Sequence, residues 1–202
     1  MDTSIFKINK LSPKSLFSDS KQSWFFGDYI TLEEDEMIFS ECHLKFLPLH
    51  LISKWSRCGL TAEYLSKYIA LNSEKIIEVE NFASTVINEL IENAVKFSFD
   101  KSESILVSMH QTEKAVLVRI ENVADYDSVK KFVDFLEEID LTDIEETMIK
   151  RIEKSATSDG DVSGLGILSI INDSDVTFGM KICSESAEDE TFSVDIKILF
   201  KI

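Results

Sequence analysis

The stretch at residues 88–98 reads NELIENAVKFS and closes the strongest helical pattern in the chain, residues 79–97. Asn93 falls on the apolar side of this predicted helix, and Glu89 precedes it by one turn at the edge of the same side. A polar amide on the core side of a helix is costly unless it has a partner. That partner is either protein backbone, which would make Asn93 a structural residue, or a bound ligand. The apolar stripe consists of Val79, Phe82, Ala83, Val86, Leu90, Ala94 and Phe97.

The stretch resembles the N-box of the GHKL superfamily, which comprises gyrase, heat-shock chaperone, histidine kinase and mismatch-repair ATPases. The resemblance implies a site for ATP and Mg²⁺. The amide oxygen of Asn93 would be a Mg²⁺ ligand, as a hard cation prefers. Glu89, one turn earlier on the same face, would accept a proton from an attacking water or hydroxyl. Lys96 would lie near the phosphate charge. The residues that match the N-box pattern Glu-x-x-x-Asn-Ala-x-Lys/Arg-aromatic-Ser/Thr are Glu89, Asn93, Ala94, Lys96, Phe97 and Ser98.

A second motif lies downstream, where residues 160–171 read GDVSGLGILSII. It resembles the G2 box of the same superfamily, Gly-x-Gly-x-Gly leading into a helix, although Val162 stands where the first glycine usually is. Free N–H groups and the helix dipole favour phosphate at such a helix start. The structural alternative is a glycine-rich loop with Ser163 as the helix N-cap. The phosphate-binding residues implied by the resemblance are Ser163, Gly164, Leu165 and Gly166, and the loop before them would be the ATP lid.

The third superfamily motif, the adenine-binding Asp-x-Gly-x-Gly, is absent. The corresponding stretch reads RIENVADYDS at residues 119–128 and contains no glycine. Asn122 is the first candidate for the Asp position, and Asp125 is the second. An Asn oxygen can accept a hydrogen bond from the adenine amino group. The missing glycines predict a narrower or reshaped nucleotide pocket.

Taken together, these segments resemble the SiaB-like family of bacterial regulators over about residues 25–200. The match also includes the run LPLHLISKWSRCGLTAEYLSKYIA at residues 47–70. The resemblance implies a signalling protein with a GHKL fold that acts as an ATP-dependent serine/threonine protein kinase. Its substrate would be a small STAS-like partner protein, and a PP2C-type phosphatase would oppose it in a partner-switching pathway. The sequence does not determine the oligomeric state, and a homodimer is left open.

The order of elements predicts an α/β domain of the α+β two-layer kind. We expect a largely antiparallel sheet of four or five strands with helices on one face, because the strands come as a central hairpin and a terminal pair. Helices are expected from Pro48 to a break near Gly59, from an N-cap at Thr61, and over residues 79–97, 127–154 and 165–173. Strands are expected over residues 37–47, 104–110, 115–121, 176–183 and 192–200.

The 202 residues suit a single domain at residues 25–202, preceded by an arm at residues 1–24 that is either poorly ordered or an edge segment. The net charge of −16 argues against nucleic acid and anionic membranes as partners. With no apolar run of 18 residues and no signal-peptide pattern, we expect a cytoplasmic protein. His43, His50 and His110 are too far apart in the sequence to indicate a metal site.

Three functions remain open at this point. The first is the protein kinase. The second is a degenerate GHKL module that binds a regulatory partner without ATP turnover, which the missing adenine motif favours. The third is an ATPase that changes shape on hydrolysis. It is the least favoured, because its superfamily relatives use additional transducing domains that 202 residues cannot hold.

Overall fold

Six strands form one sheet in the order β1-β5-β6-β4-β3-β2, and every neighbouring pair is antiparallel. The computed structural model describes residues 22–30, 37–137, 139, 143–157, 164–173, 175–184 and 190–202. The α+β class and the antiparallel sheet are as expected, with one strand more than the upper estimate. The elements are β1 (Gln22–Gly27), β2 (Ser40–Phe46), α1 (Pro48–Ile52), α2 (Ser56–Ala70), α3 (Ile76–Phe97), β3 (Ile105–Gln111), β4 (Ala115–Asp125), α4 (Tyr126–Glu137), α5 (Ile144–Thr157), α6 (Leu165–Ile171), β5 (Val176–Ser184) and β6 (Thr191–Lys201).

The additional strand is β1, an edge strand that pairs with β5. It includes residues 22–24, which the sequence analysis assigned to the arm; residues 1–21 lie outside the described residues. Trp24 and Phe26 alternate with exposed positions and are buried in the core. Two buried side chains are too few to indicate a strand in the sequence. The strand is stabilised by pairing with residues more than 150 positions away, which a local pattern does not reveal.

The expected break near Gly59 and the N-cap at Thr61 are both wrong, because α2 runs without interruption from Ser56 to Ala70. Thr61 lies inside the helix, where its hydroxyl donates a hydrogen bond to the Arg57 carbonyl. A helix-interior glycine costs about 1 kcal/mol relative to alanine. Burial of one face of α2 outweighs this cost. The buried residues of this face are Cys58, Ala62, Leu65, Ser66, Ile69 and Ala70.

The single helix expected over residues 127–154 is instead two helices, α4 and α5. The second helix has its own start signal. The backbone N–H of Glu146 donates to Asp143 Oδ1 at 2.9 Å, and the backbone N–H of Thr147 donates to the Asp143 carbonyl. Asp143 therefore acts as the N-cap of α5. The amphipathic pattern of α4 continues in phase into α5, so the sequence analysis predicted one helix.

Helix α3 occupies the centre of the helical layer and is buried on two sides. One buried row, which includes Val86, Leu90 and Ala94, continues the stripe identified in the sequence. A second buried row consists of Ile87, Ile91 and Val95. A helix that is apolar on two sides packs between two layers, and α3 contacts both α2 and the sheet strand β4. Within the described residues, none of the helices has the length and apolar character needed to cross a membrane.

Candidate functional site

A narrow cavity lies between α3, α4 and the inner face of the sheet. Its volume is about 30 Å³, which is room for roughly two water molecules. Most of its wall is apolar, and the polar side chains on it are Asn93 from α3, Asn122 from β4 and Ser128 from α4. The structure thus brings the N-box asparagine and the first candidate for the adenine-reading residue to the same cavity.

Asn122 is the unusual member of the cavity wall. Its side chain is only 7% exposed, and its Nδ2 atom has no hydrogen-bond partner among the described residues. An unpaired buried amide donor typically costs about 1–3 kcal/mol. The alternation of β4 turns Asn122 to the helical side together with Ile120 and Ala124. A ligand that accepts a hydrogen bond in this cavity would satisfy the unpaired amide.

Asn93 is half-buried and reaches the same cavity from the last two turns of α3. Its side chain makes no hydrogen bond with any residue in the described part of the chain. The structural alternative for Asn93, an amide paired with protein backbone, therefore has no support from the described contacts. The amide oxygen remains free to accept a hydrogen bond or to ligate a cation.

The carboxylate of Glu89 lies directly against Gly166, one turn along α3 from Asn93. A Cβ atom at position 166 would overlap this carboxylate, so any larger residue there would require the Glu89 side chain to move. Burial, and secondly the charge of Glu92, raise the pKa of Glu89, while the charge of Lys96 opposes them. The contact joins the two motifs, which are more than 70 residues apart in the sequence.

The glycine motif enters α6 through a left-handed residue. Gly164 is the N-cap of α6 with φ at +97°, a backbone conformation that favours glycine. A Cβ atom there would also lie 2.8 Å from the ring of Phe135 on α4. Leu165 and Gly166 begin α6 and are half-buried. Ser163 and Val162 lie outside the described residues, as does most of the loop expected to form the ATP lid.

Two further predicted residues lie away from the cavity wall. Lys96 is exposed on the last turn of α3, and its charge reaches Glu89. Asp125 is the residue before α4, and its Oδ1 accepts a hydrogen bond from the backbone N–H of Ser128 at 2.7 Å. Hydrogen bonds from Ser128 lower the pKa of Asp125. The carboxylate of Asp125 therefore caps α4, which leaves Asn122 as the polar group of this strand at the cavity.

The sequence analysis missed two features. Ser128 was not singled out, although Asp125 followed three residues later by a serine is an N-cap spacing that would have placed it in the first turn of a helix. His43 and His110, which are too far apart in the sequence to indicate a metal site, are brought together by the fold, and their rings lie 5.5 Å apart on neighbouring strands. The alternate positions of Glu41 and His43 on one predicted strand indicate that both face the same side of the sheet. The sequence does not show that the strand carrying His110 pairs with this strand.

No family model matches the chain, and no curated protein matches it. Among solved structures, it is similar to one chain of the SiaB-SiaC complex from Pseudomonas aeruginosa. The two are 16% identical, the alignment covers 81% of this chain and 91% of the other, and the TM-score is 0.56. At this identity the likeness concerns the fold alone, and it supports the SiaB-like fold that the sequence analysis expected.

Proposed function

We propose that the chain is a cytoplasmic signalling regulator of GHKL type that binds ATP with Mg²⁺ and acts as a serine/threonine protein kinase. The observation that carries this proposal is the position of Asn93 and Asn122 on one cavity, with the Asn122 amide unpaired. The proposed substrate is a small STAS-like partner protein, opposed by a PP2C-type phosphatase. The SiaB-SiaC complex, a fold neighbour solved with a second protein, is the precedent for such a partner.

The side chains on the cavity fit the polar edges of a purine nucleotide. The Oδ1 of Asn122 can accept a hydrogen bond from the adenine amino group, and its unpaired Nδ2 can donate to a ring nitrogen. Asn93 would hold Mg²⁺ through its amide oxygen, and Lys96 and the Gly164–Gly166 turn would face the phosphates. When bound, ATP would supply the phosphoryl group. The cavity as it stands, at about 30 Å³, is smaller than a nucleotide, so the proposal requires its walls to open on binding.

Glu89 is suited to hold the proton of the incoming hydroxyl. A general base works best when its pKa lies near the operating pH, and the shift of the Glu89 pKa is upward, toward that range. Gly166 leaves room for this carboxylate at the start of α6. Glu89 and Asn93 should therefore have separable roles. Loss of the base reduces turnover by about 10²–10⁴-fold and leaves nucleotide binding largely intact. Loss of the metal ligand weakens Mg²⁺-dependent binding itself.

Calorimetric titration with ATP and Mg²⁺ tests the nucleotide site. We expect saturable binding in the parent, weaker Mg²⁺-dependent binding in Asn93→Ala, and weaker binding with or without Mg²⁺ in Asn122→Leu. Asn88→Ala is the matched control, because Asn88 lies on the same helix and pairs with Glu92 instead of facing the cavity. Absence of binding at millimolar nucleotide would contradict the kinase and support the alternative function, a degenerate module that binds a partner without turnover.

A thermal melt of the nucleotide-free protein separates a ligand role of Asn93 from a structural one. Asn93 has no hydrogen-bond partner in the described part of the chain, so Asn93→Ala should leave the melting temperature nearly unchanged. A structural amide would instead lose about 1–3 kcal/mol of stability through its orphaned partners. A large drop in the melting temperature would show that Asn93 is a packing residue.

The exposed side of α2 is the surface where we place the STAS-like partner. Four large side chains recur at helical spacing and share one face, which we call the α2 stripe; they are Leu60 (62% exposed), Tyr64 (62%), Tyr68 (44%) and Leu71 (72%). Exposed apolar patches of this kind mark protein interfaces, and tyrosine is enriched there. The stripe lies on the helix that packs directly on α3, the helix of the candidate site.

Binding of purified STAS-domain proteins from the same organism tests the assignment of the α2 stripe. Tyr64→Glu should abolish binding, whereas Ile149→Glu, a matched change on the exposed side of α5, should not. Sedimentation of the chain alone completes the test. A dimer that Tyr64→Glu dissociates would assign the stripe to a second copy of this chain and overturn its assignment to the partner.

A further inference from the structure

Two histidines and a glutamate meet on the outer face of the sheet, opposite the cavity described above. Glu41 and His43 occupy alternate positions on β2, so both point to the same face. His110 on β3 lies directly opposite Glu41 in the antiparallel register. Residues opposite each other on neighbouring strands have Cβ atoms about 4.5–5.5 Å apart. The backbone therefore holds the three side chains together independently of the helical layer.

Their donor atoms converge on one point. One nitrogen or oxygen from each side chain lies within 4.8 Å of the other two. The Nε2 atom of His110 is 3.6 Å from Glu41 Oε1, and the Nε2 atom of His43 contacts the same oxygen. The two imidazole rings are nearly perpendicular, at 77°. Both histidines thus direct Nε2, and not Nδ1, toward the shared carboxylate.

A second contact orients one of the ligands. The Nδ1 atom of His43 lies 3.2 Å from the hydroxyl oxygen of Ser108, which is only 7% exposed. When Nδ1–H donates to this hydroxyl, the lone pair of His43 is on Nε2, the atom at the cluster. Metal-binding histidines commonly have such a partner on the other ring nitrogen. His110 Nδ1 is buried without a partner in the described part of the chain, and a missing partner of this kind typically weakens metal affinity about 10–100-fold.

We propose that Glu41, His43 and His110 form a binding site for Zn²⁺ or a similar first-row divalent cation. Two imidazole nitrogens and one carboxylate oxygen are the protein ligands of a three-ligand zinc site with an open fourth position. Imidazole nitrogens select against Mg²⁺, which prefers oxygen ligands, so this site is distinct from the proposed Mg²⁺ position at Asn93. The net charge of −16 also raises the local concentration of cations.

The surroundings leave space for the fourth ligand. A shallow cavity of about 390 Å³ borders the cluster, and His43, His110, Arg119 and Glu121 are among its lining residues. A water or a small anion fits there. The ion would also tie the edge strand β2 to β3 through side chains, in addition to their backbone hydrogen bonds. Metal binding should therefore stabilise the folded chain, because the unfolded chain does not hold the three ligands together.

Titration of the chelator-treated full chain with Co²⁺, followed by visible absorption, tests the site. We expect one equivalent to bind with the absorption bands of a four-coordinate ion, displacement by Zn²⁺, no competition from Mg²⁺, and a higher melting temperature with Zn²⁺. His43→Ala and His110→Ala should each remove the bands. His43 is 57% exposed, so its replacement should leave the fold intact, which a melt in chelator checks. His50→Ala on α1 is the matched control and should bind as the parent does.

Two results would overturn the site. One is absence of saturable Co²⁺ or Zn²⁺ binding up to millimolar metal in the parent chain. The other is binding that persists in both His43→Ala and His110→Ala, which would place the metal on other residues. Either result would leave the contacts of Glu41 with the two histidines as ordinary side-chain contacts on the outer face of the sheet. Neither would bear on the nucleotide site, which is tested separately.

Discussion

At the scale of the residue, Glu89 carries a charge where burial disfavours it. Burial and the neighbouring Glu92 raise its pKa, whereas the carboxylate in the unfolded chain titrates near 4.3. When folding raises the pKa of an acid, the folded state is more stable at low pH, where the acid is protonated in both states, than at high pH. That advantage is lost as the pH rises through the folded pKa. At neutral pH, which is above the unfolded-state pKa, the upward shift of the Glu89 pKa therefore lowers the stability of the fold relative to acid pH.

We predict that Glu89→Gln raises the melting temperature of the nucleotide-free protein at pH 7.5, because it removes a half-buried charge and keeps the shape. The gain should shrink as the pH falls toward about 4, because the parent carboxyl is then mostly protonated in the folded state and increasingly protonated in the unfolded state. Melts of the parent and the variant between pH 4 and 8 measure the difference.

Glu63→Gln is the control with the opposite sign. Glu63 is exposed and its pKa is lowered by the hydrogen bond from Lys67, so its replacement should not stabilise the protein. A lower melting temperature for Glu89→Gln at pH 7.5 would mean that the backbone of α6 stabilises the carboxylate more than burial penalises it.

At the scale of the element, the start of α5 depends on one side chain. Asp143 accepts the N–H of Glu146 at 2.9 Å and is the signal that separates α5 from α4. Helix α5 exposes much of its surface, including Ile149 and Ile152. Packing therefore contributes less to this helix than to α3, and the cap contributes a correspondingly larger share.

We predict that Asp143→Ala destabilises the protein by about 1 kcal/mol, the usual cost of an N-cap loss. Asp143→Asn should be close to the parent, because its side-chain oxygen also caps. Urea unfolding followed by circular dichroism compares the two. Equal losses in both variants would show that the negative charge at the start of α5, and not the cap hydrogen bond, is what matters.

At the scale of the whole molecule, a partly buried ion pair on the outer face of the sheet ties distant parts of the chain together. The guanidinium of Arg119 on β4 forms a bidentate pair with Asp195 on β6, and its Nη2 lies 2.8 Å from Asp195 Oδ2. The hydroxyl of Tyr29, from the segment that follows β1, donates to the same carboxylate. Burial raises the pKa of Tyr29, so the phenol keeps the proton that it donates.

We predict that Asp195→Ala destabilises the protein by about 3 kcal/mol, because it leaves a partly buried guanidinium and a half-buried phenol without their acceptor. Glu121→Ala is the matched control. It removes the other carboxylate of Arg119, at 2.9 Å, from a more exposed position, and it should cost less than about 1 kcal/mol. Urea midpoints of the two variants measure the difference. Similar losses would show that Arg119 does not depend on Asp195 in particular.

The sequence by itself determined the features that depend on neighbours along the chain. The helical period of residues 79–97 identified α3 and placed Glu89 and Asn93 one turn apart, because helix geometry links residues three and four apart. Five of the six strands were likewise predicted from local runs of β-branched and aromatic residues and from turn residues between them. The apolar run after Gly166 likewise indicated α6. All of these are local patterns, and tertiary packing preserved them.

The tertiary structure decided the features that depend on pairing between distant residues. Asn122 faces the cavity because alternate side chains of β4 point to the helical side and β4 lies beside α3. Asp125 does not, because its carboxylate caps the start of α4. The contact of Glu89 with Gly166, the extra strand β1, and the meeting of His43 with His110 each join segments far apart in the chain. Strand register and strand order determine these contacts. Both are selected by the total apolar surface that the whole domain buries, weighed against the entropy of ordering the chain. A short stretch of sequence therefore cannot predict them.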